Sequence, residues 1–273
     1  MSRTHTLNTV PRSISLATVA AFIGAVVWFA GTHIAMASFD SHQAVPYSHW
    51  NHVISELGFP FASPMTWAYN GTLAIASLTV LPILYALSGH LQTRLATIAA
   101  RFGYCACVAL SCVGIYGLRQ DILRTPYLLT HFYRVHMAFA TVFFLGWVIA
   151  VTLFSIVFSR RWQDPASRAM AIGGFVCALL YPAFAISAIC GGPMQTALAA
   201  DLKDPVFKTV LTSPTSGPLL TQWFDLHRPH IWWQASFEWI WAWSILFWLA
   251  MALAYLWMTG VGELEQRKIV ENE

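Results

Sequence analysis

Six stretches of the chain, at about 14–38, 67–88, 97–117, 135–158, 169–190 and 231–258, stay apolar for the roughly 20 residues that a helix needs to cross a hydrocarbon layer. Short polar stretches separate them, and the longest of these, about 191–230, carries Pro193, Pro205, Pro214 and Pro218. The pattern predicts an all-α polytopic membrane protein: one six-helix bundle over residues 1–273, with no soluble domain, internal repeat or low-complexity segment. Pro82 and Pro182 fall inside the second and fifth spans and predict kinks there.

Composition agrees, because 57% hydrophobic and 10% charged residues cannot cover a soluble domain with a charged surface. A net charge of +3 is too small to point to nucleic acid. The placement of the cations says more than their sum. Arg3, Arg12, Arg94, Arg101, Arg160, Arg161, Arg168, Arg267 and Lys268 fall on one side, and Arg119, Arg124, Arg134, Lys203, Lys208 and Arg228 on the other. Cytoplasmic segments keep positive charge, so this bias puts both termini in the cytoplasm, and the expected location is a cell membrane. The first apolar stretch ends in "AMAS", a pattern that signal peptides share, and is expected to remain as a span.

With that topology, His33, His42, His49, His52, His131, His136, His227 and His230 collect on the outer side, while His5 and His90 fall inside. Histidine suits proton transfer near neutral pH and metal ligation, so a one-sided collection invites a site there. A single histidine in a polar loop is ordinary surface, and the collection carries the argument.

Three stretches supply it. In "YSHWNHVISELGFPF", residues 47–61, a helix would put His49, His52 and Glu56 on one face, with His49 and His52 as metal ligands; the usual zinc spacing is His-x-x-x-His, so the fit is partial. In "RQDILRTPYLLTHFYRVH", residues 119–136, Arg119 and Arg134 suit an anionic head group, because guanidinium offers a fork of donors. Asp121 can equally pair with these arginines. In "HRPHIWWQASFEW", residues 227–239, a helix from Pro229 would align His230, Gln234 and Glu238 as one polar stripe running inward, with Arg228 and His227 in the loop before it.

Glu238 is the sharpest residue of the chain. A carboxylate at hydrocarbon depth is costly, so it faces the bundle interior as an acid, base or ligand, or ties two helices by a hydrogen bond. Its candidate partners are His136, Arg134 and His33. Around it, Trp232, Trp233 and Trp257 read as interfacial anchors, and Trp239, Trp241, Trp243 and Trp248 as filling between helices and lipid. Cys105, Cys107, Cys112, Cys177 and Cys190 lie within predicted spans without Cys-x-x-Cys spacing and read as small packing residues. Neither a Gly-x-Ser-x-Gly elbow nor a phosphate-binding or dinucleotide-binding glycine loop occurs.

"NHVISELG" before the second span, "YNGTLAIASLTVLPILYAL" within it and "HMAFATVFF" opening the fourth resemble three features of a six-span bacterial family of unknown function. These are a Ser-Asp/Glu-Leu-Gly motif, an Asn-Gly in the second span and a His-x-x-x-Ala-x-x-x-Phe start to the fourth. That family is similar to the DRAM-type and FGF-receptor-activating-protein-type membrane proteins. The resemblance covers the first four spans and implies a membrane-lipid role with an outer site at Ser55, Glu56 and His136.

The expectation that follows is an outward-facing pocket that binds or modifies a lipid or lipid-linked substrate. Arg119, Arg134, Arg228, Ser55 and Gln234 would bind the substrate; Glu238, His230, His136 and Glu56 would exchange protons. His49, His52, His227 and His230 would hold a divalent metal ion. Two other classes stay open. One is a b-type haem or copper protein using His33 and His136, or the loop histidines, as ligands; the other is a non-catalytic accessory subunit that binds a membrane partner or a second copy of itself.

Overall fold

A backbone in lipid has no water to bond, so apolar stretches of this length close their N–H and C=O groups on themselves. The computed structural model describes residues 12–39, 47–49, 52, 54–58, 65–123, 129–190 and 235–260. Among these the regular structure is all helical. The elements are α1 (Arg12–Ala37), a 3-10 turn (Ile54–Gly58), α2 (Thr66–Thr79), α3 (Leu81–Leu91), α4 (Arg94–Leu123), α5 (Leu129–Ser159), α6 (Pro165–Cys190) and α7 (Ala235–Gly260). Six membrane-length spans result, at Ser13–Ala37, Thr66–Leu91, Arg94–Arg119, Ala138–Ser159, Pro165–Ile186 and Ala235–Gly260. The protein is therefore a multi-pass membrane protein. The 191–230 stretch, with His227, Arg228 and His230, lies outside the described residues, as do residues 231–234, Gln234 among them.

The second span is two helices. Pro82 has no N–H, and it sits at the start of α3, after a break at Val80, where that loss is harmless. The next connection is tight. Gln92 takes the left-handed conformation at φ 48° and returns its N–H to Ser88 O at 3.1 Å, and Thr93 Oγ1 then accepts the Ala96 N–H at 3.1 Å to start α4. Asp164 starts α6 in the same way. Its carboxylate takes the N–H groups of Ala166 at 3.3 Å and Ser167 at 2.9 Å, and Pro165 fills the first helical position.

Helix α2 packs between α1 and α4, and α5 between α4 and α6. Close approach of α4 to α2 requires glycine at 114, where a Cβ would run into Asn70 O and Ala74 N. Helix α7 closes the bundle. Its Trp248 meets Trp147 and Phe154 of α5 at 6.2 and 5.8 Å, Trp241 meets Phe144 of α5 and Tyr181 of α6, and Trp257 Nε1 donates to Thr18 Oγ1 of α1 at 2.8 Å. Trp241 and Trp248 are thus core residues rather than lipid contacts, whereas Trp243 is exposed.

Two apolar clusters result. The larger fills the bundle around Leu84, Trp147, Phe154 and Trp248. The smaller, built from Ala35, Ile54, Leu57, Tyr69, Leu73, Val113 and Trp239, lies at the end where α1 and α4 finish and α2, α5 and α7 begin. Leu57, with no exposed surface, anchors the 3-10 turn in that cluster.

Candidate functional site

The 47–58 segment does not form the helix that would align His49, His52 and Glu56. Residues 47–49 carry no helix, His52 sits in a bend, and helical turns begin only at Ile54. The bend closes on itself: His52 N–H donates to Ser48 O at 3.0 Å, and Ser48 N–H donates to His52 Nδ1 at 3.2 Å. A backbone donor on Nδ1 requires that nitrogen to be unprotonated, which fixes the tautomer and removes Nδ1 as a metal ligand. Phe39 stands edge-on to the His52 ring and Tyr47 stacks on it, both at 4.8 Å. Burial of Ile54 and Leu57, together with bonds from other helices, outweighs a one-turn helical preference here.

Three side chains from α2 and α7 hold the segment by its backbone. Glu238 Oε2 accepts the Ile54 N–H at 3.0 Å, Trp239 Nε1 donates to His52 O at 3.1 Å, and Asn70 Nδ2 donates to Gly58 O at 3.2 Å. The first of these satisfies the leading N–H of the 3-10 turn with a negative charge, as an N-cap does, although the cap comes from another helix. Glu238 lies in α7, 9% exposed, with Tyr69 of α2 nearby. Asn70 is clasped: a Cβ on Gly58 would come 2.8 Å from Asn70 Oδ1, and one on Gly117 would strike its amide group.

His49 leaves the metal arrangement for a different neighbour, with its ring 4.1 Å from that of Trp239. Burial, and after it the nearby His33, hold its imidazole below the ordinary histidine range. Among the described residues no three His, Cys, Asp or Glu side chains come together to hold a metal ion. His227 and His230, the other two expected ligands, lie outside the described residues. His33 is exposed, and its Nδ1 stands 2.7 Å from Phe29 O of its own helix.

Within the 119–136 stretch, α4 runs on to Leu123 and α5 takes up from Leu129, and residues 124–128 lie outside the described residues. Arg119 is exposed at the end of the third span. Arg134 lies in α5 and Ser55 and Glu56 in the 3-10 turn, their side chains falling outside the described residues. His136 is half-buried just before the fourth span, and burial lowers its imidazole to about 4, so it is neutral near pH 7. One turn on, Phe139 packs against the cluster that holds Leu57 and Trp239.

Sequence reasoning missed Asn70 and Trp239 as anchors. A lone amide in an apolar span was the signal for Asn70; for Trp239 there was none, since an indole with a carbonyl partner reads like one that fills space.

A family model described as "Protein of unknown function (DUF998)" matches residues 22–200, and the chain belongs to that family. No curated protein and no solved structure matches it.

Proposed function

We propose that this DUF998 protein binds or modifies a lipid or lipid-linked substrate at the bundle end that carries the 47–58 segment, His136 and Glu238. The observation that carries the reading is the buried Glu238 carboxylate beside Tyr69, within an apolar span. Arg119, exposed at the same end, suits an anionic, lipid-borne group, and the carboxylate with a neutral His136 on a neighbouring element suits proton exchange beside it. Ser55, Glu56, Arg134, Arg228, His230 and Gln234 complete the proposed set, and a divalent metal on the outer histidines is its metal-assisted form. The likeness of the motifs to a six-span bacterial family, itself similar to DRAM-type and FGF-receptor-activating-protein-type proteins, supports a lipid role in a bacterial inner membrane, and the arginine distribution supports both termini being cytoplasmic.

The test is lipid analysis with metal analysis of protein purified in mild detergent. One lipid class should be enriched over the membrane extract and depleted in His136→Ala and Glu238→Gln. A lipid profile that matches the extract in the wild type, or stays unchanged in both folded variants, overturns the proposal.

A further inference from the structure

A second lipid-facing feature lies at the opposite end of the bundle, on the α3–α4 hairpin. Arg101 is exposed although it stands seven residues, about 10 Å, inside α4 and within the third span. Tyr85 of α3, 64% exposed, lies six residues before that helix ends and so at nearly the same depth. Tyr104, one turn along from Arg101, lies near Tyr85 and Ser88 of α3. Arg94 shares the Arg101 face, two turns nearer the helix start, and is also exposed.

Two arginines and two phenols on a surface that meets lipid are costly unless they meet polar groups there. Helical side chains lean toward the N-terminus of their helix, and for Arg101 that is the membrane surface at the hairpin. Acidic partners are absent from this patch among the described residues, since Asp164 caps α6 and Glu238 lies at the other end. We propose that the α3–α4 hairpin is a binding site for an anionic glycerophospholipid head group, its phosphate on Arg101 and Arg94 and its glycerol oxygens on Tyr85 and Tyr104. Charge complementarity selects an anionic lipid over a zwitterionic one, because no described acid stands beside the patch to receive a choline or ethanolamine cation. This site is independent of the one proposed for the Glu238 end and occupies the other leaflet.

The experiment offers detergent-purified protein equal amounts of phosphatidylglycerol and phosphatidylcholine with matched chains, and counts retained lipid by native mass spectrometry. The wild type should favour phosphatidylglycerol by about fivefold or more. Arg101→Gln should abolish the preference, Tyr85→Phe should weaken it, and Arg168→Gln, on α6, should leave it intact. All three altered side chains are exposed, so the variants should keep their fold. Equal retention by the wild type, an undiminished preference in Arg101→Gln, or competition by inorganic phosphate alone overturns the assignment.

Discussion

Glu238 Oε2 accepts the backbone N–H of Ile54 at 3.0 Å and so joins two points 184 residues apart in the chain. Because the acceptor is a side chain and the donor a backbone group, the bond depends on what stands at 238 and only on position at 54. Glu238→Ala leaves a buried N–H without its acceptor and should cost about 1–3 kcal/mol of stability, whereas Glu238→Gln keeps an acceptor oxygen and should cost less than half of that. Unfolding in mild detergent measures both, and equal losses would show that the bond is not what Glu238 contributes.

Trp239→Phe removes the bond to His52 O while keeping a ring against His49. Hydrogen exchange in residues 47–52 should quicken by about fivefold, as expected for the loss of about 1 kcal/mol of local protection. Exchange at the wild-type rate would mean that Ile54, Leu57 and Asn70 fix the segment without the indole.

Gly117→Ala should destabilise by about 1–3 kcal/mol, since its Cβ strikes the Asn70 amide and neither helix can yield without giving up packing. Gly71→Ala is the matched control, because a Cβ there meets nothing within 4 Å. It should be neutral or slightly stabilising through helix propensity. A similar loss at both positions, read from thermal unfolding, would refute the steric explanation.

Asp164 makes the start of α6 sensitive to acid. The Ser167 side chain and N–H, with the Ala166 N–H, hold its carboxyl below the ordinary 3.8. A depressed carboxyl contributes stability that is whole above 3.8 and is lost as pH falls through the lower native value. The difference in melting temperature between wild type and Asp164→Asn should be present at neutral pH and shrink below pH 3.8. Parallel profiles across that range contradict the role given to the charge.

The spans were legible because lipid imposes length and apolarity on any helix that crosses it, and the second-span kink because Pro82 has no N–H to give. Glu238 was legible as an anomaly for the same reason: a carboxylate within an apolar span is costly wherever it points. Sequence alone also determined that His33, His49, His52 and His136 belong to one end, since the spans alternate in direction. Only the tertiary structure decided what these residues meet. His52 turned its Nδ1 to Ser48, His49 its ring to Trp239, and Glu238 its oxygen to Ile54, and no periodicity encodes these pairings. They depend on how α2 and α7 stand around the 47–58 segment, which Gly114, Gly117 and the tryptophans of α7 set by close packing, and packing between distant segments leaves no local signature in the chain.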